Sequence, residues 1–306
     1  MRGLLIGTVV VVATLWGMAR WLQPRMAFFP TRGVQTTPAA FGLAFSDLKI
    51  TTSDGETLHG WWIEHPSPRA QVIYWHGNGG NLSLWLPVLA DLRNRGFSVM
   101  AVDYGGYGGS SGSPSERGLY RDAEAATGYF NQHLRLPGAP TVYWGRSLGC
   151  AVASYAARQV QPEGLILESP FPDVRSLFSG NPIMLGLSFF SSYTFSTSAH
   201  LEAYRSPLLV IHGDADSIIP FRVGQGRASP SPSLPREREG TTGSVEALAV
   251  LTTEANRRVC RGILGEPGRN RTFNQQIKSL WKSPVTSSQE VNFRTIRCQV
   301  IAREGA

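Results

Sequence analysis

One pentapeptide constrains this chain more than any other feature: Gly145-Arg146-Ser147-Leu148-Gly149. It stands between an apolar, β-prone segment (141–144) and a run of small residues suited to a helix (151–158). Where a strand turns at once into a helix, the flanks of the turn leave no room for side chains, and glycines bracket it for that reason. Such a turn lifts a serine hydroxyl above the end of a sheet, where a carbonyl carbon can reach it. Ser147 is therefore the candidate nucleophile. The same spacing arises by chance in Gly/Ser-rich loops, so the flanking strand and helix patterns give it its weight.

The surrounding pattern fits that turn. Strands are predicted over Ala70–Trp75, Phe97–Val102, 141–144, 164–167 and 207–211, and helices over 82–95 and 116–134. Continuous apolar strands separated by amphipathic helices predict an α/β fold with a mostly parallel sheet covered on both faces. With 306 residues, 42% of them hydrophobic, the chain is long enough to bury one large core of this kind. Ahead of it, 48–51 and 57–63 flank Ser53-Asp54-Gly55, a hairpin signal. The glycine-rich run 103–112 lacks the Gly-Lys-Ser/Thr ending of a phosphate loop and leads into Ser113-Pro114-Ser115-Glu116, a capping box. It is expected to be a strand-to-helix connection rather than a phosphate cradle. The three cysteines, 150, 260 and 298, form neither a disulfide framework nor a C-x-x-C pair, and Cys150 is expected to be a small buried residue of its helix. No metal cluster and no cofactor are expected.

Two segments stand apart from this domain. Residues 3–19 are an uncharged apolar run between Arg2 and Arg20, short for a spanning helix and long for the core of a signal peptide. We expect residues 1–24 to be a membrane anchor or signal segment, with an uncleaved single-pass anchor favoured and its orientation open. At the other end, 227–306 holds 13 Lys/Arg against 7 Asp/Glu and only three aromatics (Phe273, Trp281, Phe293). Most of the +7 net charge therefore lies in this tail, which reads as a basic tail and not as a nucleic-acid-binding face. The stretch from Arg227 to Gly240 has the Pro/Ser/charge composition of disorder, and a helix is conceivable over 245–260. The break in composition points to a disordered tail or to a shift of reading frame near Gly224–Arg227.

A serine hydroxyl attacks only if a base takes its proton and donors receive the oxyanion. His76-Gly77-Asn78-Gly79-Gly80-Asn81 ends a strand and opens a helix, so the backbone N–H of Asn78, with that of Leu148 after the serine, makes a two-donor hole. Asp214 and Asp216 follow the 207–211 strand at the sheet edge where Ser147 lies, and chemistry alone does not choose between them.

Together His76-Gly77-Asn78, Asp103-Tyr104, Gly106-Tyr107-Gly108, Gly145-Arg146-Ser147-Leu148-Gly149 and His212-Gly213-x-x-Asp216 resemble the α/β-hydrolase fold. More narrowly, the chain is similar to membrane-anchored α/β-hydrolase-domain serine hydrolases of the prolyl-oligopeptidase and serine-aminopeptidase group, over roughly residues 25–226. The resemblance implies a serine hydrolase with Ser147 as nucleophile, Asp216 as triad acid, and Asn78 and Leu148 as the oxyanion hole. It also implies a histidine 25–30 residues past the acid, borne after one more strand. The six histidines are 59, 65, 76, 133, 200 and 212, and none follows Asp216. We therefore expect the last strand and helix to be missing, leaving a bare sheet edge. Gly105 stands where many relatives carry arginine, which would loosen a contact near the site.

The strand–helix rhythm breaks at about 169–204, where an apolar segment including Phe189, Phe190, Tyr193 and Phe195 takes the place of a cap. Such a cap suits a small apolar or acylated substrate, with Tyr104, Tyr107 and Trp144 either lining the mouth or lying in the core. Two functions compete: a hydrolase of ester, thioester or amide bonds acting through an acyl-enzyme on Ser147, and a catalytically impaired or non-catalytic relative that keeps the pocket and lacks the base.

Overall fold

The computed structural model describes residues 2–188, 191–213, 247–249 and 296–301. The chain opens with helix α1 (Arg2–Ala27) and strand β1 (Phe29–Pro30), then a hairpin of β2 (Ser46–Thr51) and β3 (Thr57–Ile63). There follow β4 (Ala70–Trp75), β5 (Gly79–Gly80), α2 (Leu82–Asn94), β6 (Phe97–Val102), α3 (Glu116–Tyr129), β7 (Thr141–Arg146), α4 (Leu148–Val160) and β8 (Gly164–Glu168). Three short helices, α5 (Val174–Leu177), α6 (Pro182–Ser188) and α7 (Thr197–Leu201), precede β9 (Leu208–Gly213). From the tail come β10 (Ala247–Ala249) and β11 (Ile296–Ile301).

The main sheet has the order β10-β11-β9-β8-β7-β4-β6-β3-β2. Strands β6, β4, β7, β8 and β9 run parallel, with Trp75 beside Gly145 and Arg146 beside Glu168. Their side chains alternate between two apolar layers. Ile73, Trp75 and Tyr143 pack with α3 and α4 on one face; Val72, Tyr74, Trp144 and Ile166 pack with α2 on the other. Burial on both faces is what their predominantly apolar sequence dictates. Asn81 and Ser115 cap α2 and α3 by accepting the N–H of Ser83 and Gly118.

Helix α3 stops at Tyr129 and widens into a π-turn over Phe130–Leu134, so the single helix predicted over 116–134 changes its winding for the last turn. The bare edge expected beyond β9 is covered: β11 pairs with it antiparallel, Ile296 facing Gly213 and Ile301 facing Leu208. The helix expected over 245–260 is corrected for Ala247–Ala249, which form β10; the rest of that span lies outside the described residues.

The apolar N-terminal run belongs to a longer helix than the one expected, continuing through Arg20 and Arg25 to Ala27. Among the described residues no helix is long and apolar enough to cross a membrane. The side chains of Ile6, Val10, Val11, Trp16 and Trp21 are exposed.

Candidate active site

Ser147 joins β7 to α4 with φ 52° and ψ −115°, a left-handed conformation that a β-substituted residue holds only when its surroundings impose it. Two hydrogen bonds and the two flanking glycines do so. The N–H of Ser147 donates to the carbonyl of Glu168 at 2.8 Å, and its own carbonyl accepts from Cys150 at 2.9 Å. A Cβ on Gly145 would lie 2.3 Å from the carbonyl oxygen of Gly149, and one on Gly149 only 2.1 Å from that of Trp75 and 2.7 Å from that of His76. The glycines thus let α4 press onto the end of β4, and the His76–Asn81 loop is brought against the serine. Gly77 completes the contact, its Cβ position being 3.6 Å from the Arg146 carbonyl and 3.3 Å from the Trp85 ring. Ser147 itself is half-buried.

The loop that carries Asn78 is held from below. Tyr104 donates its hydroxyl to the His76 carbonyl (2.8 Å). Tyr107 donates to the carbonyl and the side-chain oxygen of Asn78 (3.0 and 2.8 Å). Both tyrosines are fully buried, as is Trp144, whose indole N–H donates to Glu168 Oε2 at 3.2 Å. All three are core residues, the second of the two alternatives left open by the sequence. Asp103, buried as well, accepts the Leu82 N–H at 2.9 Å and lies 3.3 Å from His59 Nδ1. That hydrogen bond draws the His59 imidazole above its usual pKa. The N–H of Asn78 has no backbone partner among the described residues. Leu148 opens α4, and first-turn N–H groups have no acceptor within their own helix.

Behind the serine, Arg146 Nε sits 3.0 Å from Glu168 Oε1, and its guanidinium lies 4.9 Å from the Trp85 ring centre. Burial pushes the Glu168 carboxyl up in pKa while Arg146 draws it down. Cys150 is buried as expected. Its sulfur lies 3.2 Å from the carbonyls of Gly145 and Glu168, and burial raises its pKa, so it serves as a thiol donor and not as a second nucleophile. Gly105 donates to Asp122 Oδ2 at 2.8 Å. Burial pushes that carboxyl up to about 7, so Gly105 faces a buried acid.

Strand β9 runs parallel to β8 and ends at Gly213, at the sheet edge that carries Ser147. Asp214 and Asp216 lie outside the described residues. His76, whose pKa burial lowers against the pull of Asp103, and His212 are both buried. Among the described residues no group of three or more His, Cys, Asp or Glu is placed to hold a metal ion. The sequence pattern passed over the Arg146–Glu168 pair, although Glu168 carries the signal used for Asp214 and Asp216, an acid at the carboxyl end of an apolar strand.

Comparison with known proteins agrees with this geometry. Residues 66–198 match the model of a hydrolase family described as "Serine aminopeptidase, S33". An uncharacterized protein of Mycobacterium tuberculosis is 33% identical over 223 residues, covering 72% of this chain and 79% of that one. A lysophosphatidylserine lipase of Danio rerio is 32% identical over 186 residues, 54% of this chain and 48% of the lipase. Among solved structures, a Pyrococcus furiosus esterase superposes with a TM-score of 0.53 at 23% identity, covering 65% of this chain and 81% of the esterase. At that identity the likeness concerns the fold alone.

Proposed function

Because this chain belongs to the α/β hydrolases, within the serine aminopeptidase family, we propose that it acts on carboxylic ester, thioester or amide bonds through an acyl-enzyme on Ser147. In this reading the Ser147 hydroxyl oxygen attacks the substrate carbonyl carbon, and the N–H groups of Asn78 and Leu148 receive the resulting oxyanion. Collapse of the tetrahedral intermediate expels the alcohol, thiol or amine, and water then attacks the acyl-serine to release the acid. Asp216 is assigned as the acid that would orient a base. The observation that carries the reading is the left-handed Ser147 (φ 52°), wedged between two glycines whose Cβ positions are filled by backbone.

The base sets the rate. No histidine follows Asp216, and a triad lacking one member retains only on the order of 10³–10⁴ over water from binding and the oxyanion hole. That same observation favours a second reading for this polypeptide, a hydrolase-like protein whose turnover is severely impaired. A series of p-nitrophenyl esters from acetate to dodecanoate tests whether any turnover passes through Ser147. The proposal expects slow release of nitrophenol that disappears in Ser147→Ala, and equal rates for the two proteins would reject it.

For the substrate we favour a small apolar or acylated molecule. The residues between β8 and β9 supply the apolar helix α6 and the Tyr193 and Phe195 rings that cluster with Phe28, and one relative bears the name of a lysophosphatidylserine lipase. The exposed Trp16 and Trp21 of α1 support contact of this helix with a membrane surface, where such esters partition. Sedimentation with liposomes, with and without residues 2–20, tests that contact.

A further inference from the structure

The segment that leaves α1 is built into the loop that bears Asn78. Ala27, the last residue of the helix, accepts a hydrogen bond from Asn78 Nδ2 at 2.7 Å. Phe29 and Pro30 pair in parallel with Gly79 and Gly80, and Thr31 donates to the Gly80 carbonyl at 2.9 Å. Asn81 Nδ2 reaches the carbonyls of Gly33 (2.7 Å) and Thr31 (3.1 Å) and the side chain of Gln35 (2.6 Å). Ser83 Oγ accepts the N–H groups of Gln35 and Thr36 and donates to the Thr36 carbonyl. On its far side the same segment exchanges bonds with Gly108, Gly33 donating to the Gly108 carbonyl and Gly108 to that of Thr31. Phe28 pins the arrangement: it is 3% exposed, and its ring meets Tyr193 and Phe195 edge-on at 5.3 and 6.1 Å between centroids.

A Gly-Asn-Gly-Gly loop left to itself loses much conformational freedom when it is fixed. An oxyanion donor contributes only if its N–H is already aimed before charge develops. We propose that residues 27–36 are a positioning strap for the oxyanion loop, with Phe28 as its anchor and Asn78 as the residue it aims. This rests on the assignment of Asn78 as an oxyanion donor. The strap leaves α1 with no intervening linker, so whatever the helix rests on is coupled through Ala27 to the loop. It is short and far in sequence from its partners, and its role is invisible to periodicity.

Hydrogen–deuterium exchange on the full chain tests the strap independently of turnover. In Phe28→Ala we expect exchange over 77–83 to rise about tenfold or more while 97–102 and 145–152 stay protected. The conservative Phe28→Leu should return 77–83 to within about threefold of the parent. In parallel, the rate of fluorophosphonate attachment to Ser147 should fall at least about tenfold in Phe28→Ala and recover in Phe28→Leu, with saturation by the probe little changed. Unchanged exchange over 77–83, or an equal rise in every strand, would overturn the strap. If Phe28→Ala does not fold, Ser83→Ala, which removes the ties to Gln35 and Thr36 but leaves Phe28 in place, must give the same local rise. If no protein in the set is labelled, the nucleophile assignment fails, and the exchange data alone still decide the strap.

Discussion

Arg146 and Glu168 form an ion pair across neighbouring strands, Nε to Oε1 at 3.0 Å, and between them they hold the turn at Ser147. Arg146 precedes the serine in the chain, and the Glu168 carbonyl accepts the serine N–H. Glu168 is 3% exposed, and its second oxygen takes the Trp144 indole N–H. Removing one member of a buried pair leaves the other charge uncompensated.

Glu168→Ala should therefore lower the unfolding free energy by about 2–4 kcal/mol, allowing for the partial exposure of Arg146. Glu168→Gln, which keeps an acceptor for Trp144, should cost less. Urea unfolding of the three proteins measures this. A loss below about 0.5 kcal/mol in Glu168→Ala would show that the pair does not hold the turn.

Gly149→Ala places a methyl group 2.1 Å from the Trp75 carbonyl oxygen, against backbone that has no rotamer with which to yield. We expect destabilisation of roughly 3 kcal/mol or more, or failure to fold. Gly128→Ala serves as the control, since nothing lies within 4 Å of its Cβ position. Equal melting temperatures for the two variants would contradict the packing described for α4 on β4.

Asp122 provides a pH test. Burial raises its carboxyl to about 7 from the ordinary 3.8, so between those values the folded state holds a proton that the unfolded chain has released. Stability tied to this group is full below about pH 4 and is lost as pH rises through about 7. Asp122→Asn, still able to accept the Gly105 N–H, should remove that loss, gaining roughly 1–3 kcal/mol over the parent at pH 8 and little at pH 4. Thermal melts at both pH values decide it. A gain of equal size at both would place the effect elsewhere.

The parts of this molecule legible in the sequence are those encoded locally. Ala70–Trp75 and Phe97–Val102 are runs apolar but for Gln71 and Ser98, and they form strands with those bounds. The Gly-x-Ser-x-Gly turn declares its geometry within a few residues; the start of α3 is also marked locally, but its cap is Ser115 and not the Ser113 of the expected capping box, since Glu116 turns instead to Tyr120, Thr194 and Phe195. The missed features are contacts between distant segments: Ala27 to Asn78, Arg146 to Glu168, Tyr107 to Asn78. No period of 2 or 3.6 residues marks them, because each partner satisfies a single polar atom rather than a face. Tyr104 and Tyr107 were ambiguous for the same reason, since a tyrosine that braces a loop and one that lines a mouth have the same sequence pattern. The antiparallel β11 comes from a tail whose composition resembles disorder, and its place at the sheet edge depends on the open hydrogen bonds of β9.

The proposed role of Ser147 as nucleophile, with the N–H groups of Asn78 and Leu148 as oxyanion donors, is tested most directly by intact-mass analysis after incubation with a fluorophosphonate. We expect a single adduct on the full chain, formed slowly because no histidine follows Asp216, mapped to Ser147 and absent from Ser147→Ala. A protein shown by circular dichroism to be folded that takes up no adduct, or takes it up equally in Ser147→Ala, would contradict the account.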